Sequence, residues 1–158
     1  MEYRPKYIIV HHSAVASAGP QFDSINQAHK DRGFPLSMLG YFVGYHRVIE
    51  ANGVVRYARL DTERDADALG HNYDSLSVCL AGNFDVNAPT PAQAAKLGAL
   101  LSHWCKLWGL EDSEIFPHRR FNPTSCYGAR LSDNWAQLIY LKYEILRLQR
   151  KFDALQAP

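Results

Sequence analysis

Histidine and cysteine side chains recur in this chain at positions that could together hold one zinc ion. His11 and His12 follow a short apolar run, and His118 precedes Cys126 by eight residues. Zinc takes neutral imidazole and thiolate ligands in tetrahedral geometry, and a catalytic zinc site keeps one position open for water. One of the two adjacent histidines, with His118 and Cys126, would supply such a set. Pro123 interrupts any helix between the last two, so a loop must fold back to bring them to one metal.

A structural zinc site is the alternative use of the same side chains. Such a site closes its coordination with a fourth protein ligand, for which His12 and His46 are the nearby candidates. The other two cysteines, Cys79 and Cys105, lie far from Cys126 in the sequence. Three widely spaced cysteines fit neither a disulfide framework nor a CxxC pair, so at least one thiol is free for other work.

The elements that must position these residues begin with a short strand. The β-branched apolar run over residues 7–12 predicts a buried strand whose carboxyl end reaches the site. Tyr41–Glu50 and Val54–Tyr57 flank an Asn-Gly pair, which predicts an antiparallel hairpin. The apolar segment Leu76–Ala81 predicts a central strand, and Ile115-Phe116 a short edge. Together these segments predict a sheet of at least four strands.

Three helices are expected around this sheet. A cap at Asp23 or Ser24 begins a short first helix. Residues 90–93 form a capping box, with a proline at the first helical position, before a second helix that runs to Trp108. Ser132 opens a last helix, and its apolar spacing predicts four inward-facing residues, Leu138, Leu141, Ile145 and Leu148.

The length and composition suit a single α/β domain that spans residues 1–158. The expected architecture is a central mixed β-sheet flanked by helices, with the zinc site at the sheet's edge. The formal net charge is +1, and the lysines and arginines are scattered, so no nucleic-acid partner is expected. No segment has the apolar length of a membrane span, so no membrane insertion is expected either. We expect a monomer.

Four stretches of the chain resemble, in order, the motifs of the type-2 N-acetylmuramoyl-L-alanine amidases, a family that includes small phage endolysins and peptidoglycan recognition proteins. The stretches are the strand that ends at His11-His12, Gly44-Tyr45-His46 with its hairpin, Gly70-His71-Asn72, and His118 to Cys126. The resemblance covers nearly the whole chain and implies one zinc ion held by His11, His118 and Cys126. It selects His11 because the family's ligand is the first histidine after the apolar run. His12 then faces the other way by strand alternation.

The same resemblance implies roles for four further residues. Tyr45 corresponds to the tyrosine whose hydroxyl lies beside the zinc-bound water in the family. Thr124 falls where relatives place a lysine or threonine that steadies the reacting carbonyl. These two are the expected catalytic residues. Asn72 and His46 are expected to bind substrate, Asn72 by shaping the substrate groove.

The chain also departs from the family pattern. Asp67-Ala68 stands where many members carry His-Ala, and Cys79 stands where the cytoplasmic recycling amidases place a catalytic glutamate. Residues 36–42 are an insertion that is expected to border the groove and to tune which peptides enter. Tyr127 replaces the proline that often follows the last ligand. The change at Asp67-Ala68 affects the expected substrate contacts and not the expected metal, and the absence of the glutamate favours a reaction that uses Tyr45.

The expected activity is zinc-dependent hydrolysis of the bond between the lactyl group and L-alanine in peptidoglycan. One alternative is a non-catalytic domain that binds peptidoglycan or muropeptides, although such relatives usually lack the cysteine at position 126. The other is an intracellular amidase that recycles soluble muropeptides, which would place glutamate rather than Cys79 on the central strand. No signal peptide is apparent, so we expect cytoplasmic synthesis and action at the cell wall after lysis or non-classical export.

Overall fold

The computed structural model describes residues 3–17 and 19–157, and these form one α/β domain. The strands are β1 (Tyr7–His12), β2 (Arg47–Ile49), β3 (Val55–Tyr57), β4 (Ser75–Leu80) and β5 (Ile115–Pro117). The α-helices are α1 (Phe22–Asp31), α2 (Pro91–Trp108) and α3 (Trp135–Gln156). Short 3₁₀ turns at Asp112–Glu114 and His118–Arg120 flank β5.

The five strands form one mixed sheet in the order β3-β2-β4-β1-β5. β1 runs parallel to both β4 and β5, and β2 runs parallel to β4, whereas β2 and β3 form the antiparallel hairpin. The predicted mixed sheet, the hairpin and the central position of β4 are therefore confirmed. Because β1 and β5 are parallel neighbours, the segments that follow them leave the same edge of the sheet.

The sheet separates two apolar cores because successive strand side chains point to opposite faces. Ile8 and Val10 belong to the larger core, which includes residues of α2 and α3. The smaller core lies under α1 and consists of Phe22, Ile25, Val43, Val48, Ala58 and Cys79. Tyr45 packs against this smaller core, and its ring contacts His11. His11 therefore reaches the α1 side of the sheet.

The predicted capping box of α2 is confirmed. Thr90 Oγ1 accepts a hydrogen bond from Gln93 N at 3.1 Å, and Gln93 Oε1 accepts one from Thr90 N at 3.0 Å. The buried Gln93 amide also donates to the carbonyls of Ile49 and Ala81, which joins the start of the helix to the sheet. Gly109 ends the helix with φ at 68°, a conformation that glycine adopts without strain.

Two local predictions near α1 were wrong. The predicted strand over residues 41–50 is shorter, because the N–H groups of Phe42 and Gly44 bond to side chains of α1 instead of a neighbouring strand. The predicted cap of α1 at Asp23 or Ser24 is also absent among the described residues. Glu50 supplies it from a distance, because its carboxylate accepts the N–H groups of Gln21 and Phe22 at 2.8 and 2.9 Å.

The predicted inward face of α3 was wrong as well. Leu138, Leu141, Ile145 and Leu148 are 53%, 39%, 67% and 54% exposed. The helix packs on the sheet and on α2 through a different stripe, Trp135, Ala136, Ile139, Tyr140 and Tyr143. α3 carries two apolar stripes, and helical periodicity alone does not tell which one faces the domain. None of the helices in residues 3–17 and 19–157 has both the length and the apolar composition of a membrane span.

Candidate metal centre and adjoining pocket

Three side chains from separate elements meet at the carboxyl end of β1. His11 lies near the end of that strand, His118 begins the 3₁₀ turn after β5, and Cys126 lies in the loop beyond it. One potential ligand atom from each residue lies within 4.8 Å of the other two. Cys126 Sγ is 3.6 Å from His11 Nδ1, and the two histidine rings have centroids 4.4 Å apart. The structure thus brings together the three residues expected to bind metal.

Hydrogen bonds close the loop that carries Cys126 back to the strand. Arg119 N donates to Cys126 O at 2.8 Å, and Cys126 N donates to Thr124 Oγ1 at 3.2 Å. The Arg119 guanidinium donates to the carbonyl of Gly128 at 2.9 Å. A Cβ at Gly128 would lie 2.4–2.6 Å from atoms of Phe84, so only glycine permits this approach. The loop is therefore fixed from both sides of the thiol.

Asp67 sets the orientation of His11. His11 Nε2 donates to Asp67 Oδ2 at 2.6 Å, and the two side chains are 2% and 0% exposed. This bond occupies Nε2 and leaves Nδ1 directed at Cys126. The N–H groups of Asp67 and Ala68 donate in turn to Asn72 Oδ1 at 3.1 and 3.2 Å, which holds the loop in place. Metal-binding histidines commonly have such a carboxylate on their second nitrogen.

A second carboxyl lies behind Asp67. Asp65 lies beside Asp67, and its Oδ2 accepts the Ser75 hydroxyl at 3.0 Å. Burial raises the pKa of both aspartates, and that of Asp65 more strongly, because the two cannot both carry charge in this apolar interior. Asp65 is therefore the carboxyl that holds a proton near neutral pH, and Asp67 remains an acceptor for His11.

The protonation states of the three candidate ligands suit a cation. Burial lowers the pKa of His11 to about 3 and that of His118 to about 4, so both imidazoles are neutral near pH 7. His118 Nε2 bonds to Asn122 Oδ1 at 2.9 Å, which leaves its Nδ1 for a ligand role. Burial raises the pKa of the Cys126 thiol to about 12, so a thiolate at this position requires a positive charge beside it.

A pocket of about 300 Å³ opens over the three candidate ligands. Tyr45 and Thr124, the two residues expected to be catalytic, both line it. The Tyr45 ring centroid is 4.8 Å from that of His11. Burial raises the pKa of Tyr45, so its hydroxyl stays protonated and can donate a hydrogen bond. The other lining residues are His12, Ala14, His29, Arg32, Phe34, Ala66, Asp67 and Ser125.

Neither residue expected to bind substrate lines this pocket. His46 is fully buried; its Nε2 donates to Glu63 O at 2.8 Å, and its Nδ1 accepts Ser77 N at 3.1 Å. These contacts give it a place in the interior rather than in the pocket. Asn72 acts on the pocket only through the Asp67 loop described above. His12 does belong to the lining, but its Nδ1 is not free for a ligand role, because it accepts the N–H of Phe84 at 3.0 Å.

The insertion at residues 36–42 contributes no lining residue among those described. It packs against α1 and the loop after β3 instead. Phe42 N donates to Asn26 Oδ1 at 2.7 Å, and Met38 N donates to Glu63 Oε1 at 3.1 Å. The expectation that it borders the groove therefore finds no support in its contacts.

The sequence did not predict a functional role for three of the residues that line the pocket. Asp67 was visible only as a departure from the family pattern. His29 accepts Gly44 N at 2.9 Å and stacks on Phe34, with ring centroids 4.3 Å apart. Arg32, at the end of α1, is the one lysine or arginine in the described lining. Nothing in the local sequence of α1 shows that its last turn faces this pocket.

Comparisons with known proteins identify the family of this chain. Residues 1–129 match the family model described as N-acetylmuramoyl-L-alanine amidase. The endolysin of Enterobacteria phage T3 is 33% identical over 135 residues, which cover 81% of this chain and 83% of that protein. The structure of the N-acetylmuramoyl-L-alanine amidase LysC from Clostridium intestinale URNW is 25% identical, with a TM-score of 0.74 over 90% of this chain and 87% of that chain. Drosophila peptidoglycan recognition protein SD is 26% identical, with a TM-score of 0.64 over 83% and 78% of the respective chains.

Proposed function

The chain belongs to the N-acetylmuramoyl-L-alanine amidase family, and on that premise we propose that it is a zinc-dependent enzyme of cell-wall lysis. Its reaction is hydrolysis of the amide bond between the lactyl group of muramic acid and L-alanine. Its substrate is peptidoglycan or a muropeptide derived from it, and its place of action is the cell wall.

The observation that carries this proposal is the convergence of two imidazoles and one thiol in an open pocket. Zinc bonds of about 2.0–2.3 Å in tetrahedral geometry put neighbouring nitrogen and sulfur ligands about 3.6 Å apart. The distance from His11 Nδ1 to Cys126 Sγ is 3.6 Å. His118 completes the group of three, and its neutral state suits the same ion. The donor set therefore fits zinc.

A structural zinc site would require a fourth protein ligand. The group of three has no fourth histidine, cysteine or acidic member among the described residues. The two histidines that could have filled that role are engaged elsewhere, His12 with Phe84 N and His46 with Glu63 O. A three-ligand set that faces a pocket supports a catalytic rather than a structural ion.

When bound, zinc supplies Lewis acidity, which lowers the pKa of water toward about 7 and polarises a carbonyl group. The side chains around it do the remaining work. Tyr45 donates its phenolic hydrogen to the charge that develops on the reacting oxygen. The Thr124 hydroxyl, whose oxygen accepts Cys126 N, keeps its own hydrogen for the scissile carbonyl. Asp67 holds the His11 ring in place.

Arg32 gives the pocket its fixed positive charge. It is exposed at the rim of a pocket whose other described lining residues include no lysine or arginine. A guanidinium binds carboxylates through paired hydrogen bonds. We assign to it the orientation of a stem-peptide carboxylate, which would position the amide relative to Tyr45 and Thr124.

The test is the release of new L-alanine amino groups from purified peptidoglycan. Four samples are compared: untreated protein, protein treated with a chelator, the same protein after zinc is added back, and Cys126→Ala. Cys105→Ala is the matched control, because it removes a buried thiol from the α2 core and leaves the pocket intact. We expect activity that disappears on chelation, returns with zinc, persists in Cys105→Ala and is absent in Cys126→Ala.

Other outcomes would replace the proposal. Binding to intact sacculi without any new amino groups would identify a recognition module. Cleavage of soluble muropeptides alone would identify a recycling amidase. Activity that survives complete removal of metal would contradict the zinc assignment.

A further inference from the structure

α3 carries an exposed apolar stripe with the spacing of a coiled-coil seam. Six residues follow one another at intervals of three, four, three, four and three positions: Leu138, Leu141, Ile145, Leu148, Phe152 and Leu155. Their exposed fractions range from 39% to 77%. The stripe lies opposite the face by which the helix packs on the domain. Alternation of three and four keeps apolar side chains on one seam, as in heptad positions a and d.

The C-terminal turns of α3 extend beyond the packed part of the domain, past the cleft that Leu146, Arg147 and Arg150 form with the start of α2. Every residue from 148 to 157 is exposed, although the helix continues to Gln156. An isolated helix of this length is marginal in water, and most helical stability comes from packing of an apolar face. The projecting turns therefore need a partner surface. The family match ends at residue 129, so it assigns no role to this helix.

We propose that the stripe is the interface of a homodimer in which α3 pairs antiparallel with α3 of a second copy. This interface lies apart from the amidase pocket and does not depend on the proposed function. It replaces the monomer expected from the sequence. In this pair, the C-terminal half of each α3 would lie on the N-terminal half of the partner's α3. Both halves of each exposed stripe would then be covered.

The width of the stripe favours a helix as the partner. The residues that flank the seam are polar, namely Gln137, Glu144 and Lys151 on one side and Lys142, Gln149 and Gln156 on the other. Two apolar positions per heptad make the narrow seam of a coiled coil, whereas a helix that lies on a membrane presents a broader apolar face. The surface is therefore built for another narrow stripe rather than for a lipid layer.

The area agrees with self-association. Burial of the six side chains would remove on the order of 600 Å² per helix from water, close to the ~800 Å² per partner of a standard interface once flanking residues are included. In the antiparallel register that pairs Ile145 with Leu148 of the other copy, the two-fold symmetry covers both halves of each seam. Glu144 takes no part across the seam, because its side chain is 16% exposed and its carboxylate already bonds to Lys106 and Arg147 of its own chain.

The first test is the solution mass by light scattering or sedimentation at high micromolar concentration. We expect twice the 17.9 kDa mass of the chain for the wild type. Leu148→Glu introduces a charge in the seam and should return the protein to the monomer mass. Ala154→Glu is the matched control, because it adds the same charge at an exposed position of the same helix outside the seam, and it should remain dimeric.

The second test is the helix orientation. A mixture of Ile145→Cys and Leu148→Cys proteins should form a disulfide-linked heterodimer on oxidation, because the antiparallel register places these positions together. Disulfide-linked Ile145→Cys homodimers instead would mean a parallel pair and would overturn the proposed register. The three native cysteines are buried and should not compete.

Two results would overturn the dimer itself. One is a wild type of monomer mass across the whole concentration range. The other is a monomer that sediments with anionic phospholipid vesicles and loses this binding in Leu148→Glu, which would make the stripe a membrane-binding face. Amidase activity measured on the same samples is read separately, so failure of one proposal leaves the other testable.

Discussion

Two regions of this protein reverse the usual relation between polarity and burial. The buried polar chain, which consists of His11, Asp67, Asp65 and His46, lies in the interior. The apolar seam of α3, six residues from Leu138 to Leu155, lies in solvent. Each member of the first region has at least one hydrogen-bond partner within the domain, although one oxygen of Asp65 and one of Asp67 have none among the described residues. The second has no such partner surface in the part of the chain that the structure describes.

The difference shows that partners, and not residue type, decide which groups are buried. A buried polar group costs free energy only when its hydrogen bonds are unmet. An apolar stripe is buried only when a surface of matching shape is available. The interior of this domain therefore accommodates ionisable residues that serve the site, while a second apolar face on α3 remains for another molecule.

The largest effect concerns the acid stability of the buried polar chain. Burial lowers the pKa of His46 to about 3, from 6.5 in an unfolded chain. Between these two pKa values the unfolded chain binds a proton on His46 that the folded protein does not bind. The stability of the fold therefore falls as the pH drops below 6.5. Acidification from pH 7 to pH 4 should lower the unfolding free energy by about 3 kcal/mol through His46. The charged groups that face the His46 ring are Asp65, whose Oδ2 lies 3.8 Å from His46 Nδ1, and the cations Arg47 and Arg59.

The measurement is urea unfolding at pH 7 and pH 4 for the wild type and His46→Gln. The variant cannot titrate, so its loss of stability on acidification should be smaller by about 3 kcal/mol. The exposed His103→Gln serves as the control and should lose as much as the wild type. Equal pH dependence in all three proteins would show that His46 is not held neutral by the fold.

The second effect concerns catalysis at the inner end of the pocket. Tyr45→Phe removes one hydroxyl and keeps the ring that packs beside His11. We expect kcat to fall about 100-fold, because a positioned proton donor contributes 10²–10⁴-fold to the rate. Bound zinc, measured by atomic emission, should stay at the wild-type ratio. A Tyr45→Phe enzyme with full kcat would exclude the tyrosine from the reaction.

The third effect concerns the carboxylate behind the ligand. Asp67→Asn removes the charge that holds His11 Nε2, and the affinity for zinc should fall about 10- to 100-fold. Competition with a chromophoric chelator measures this affinity without any activity assay. Asp153→Asn, an exposed change near the end of α3, is the control and should bind zinc as the wild type does. Equal zinc affinities for the two variants would show that Asp67 does not support the metal-binding histidine.

The smallest effect concerns the apolar seam in the dissociated chain. Leu155 is 77% exposed, so Leu155→Ser should change the unfolding free energy by less than about 0.5 kcal/mol at low nanomolar concentration. The same variant should lower the midpoint of unfolding at high concentration, where the dimer contributes to stability. Thermal unfolding followed by fluorescence across a concentration series separates the two regimes. A large loss at low concentration would mean that the seam already packs within one chain.

Local sequence signals predicted much of the fold. The β-branched apolar run in residues 7–12, the Asn-Gly hairpin and the capping box of α2 depend on neighbours within a few residues, and the structure confirms all three. The cap of α1 and the length of β2 were mispredicted, because the partners that decide them are distant in sequence. Glu50 caps α1 across 28 residues, and α1 side chains bind the segment before β2.

The residues that could bind a metal were evident from the sequence, because the histidines and the cysteine stand out against an ordinary composition and match a family pattern in order. Their arrangement and support depend on contacts between distant parts of the chain. The parallel pairing of β1 and β5 brings His118 to His11, and the loop clamped by Arg119 brings Cys126 to both. Asp67 reaches His11 across 56 positions. The same holds for α3, since helical periodicity places apolar residues in stripes, but only the packing of the whole domain decides which stripe it covers.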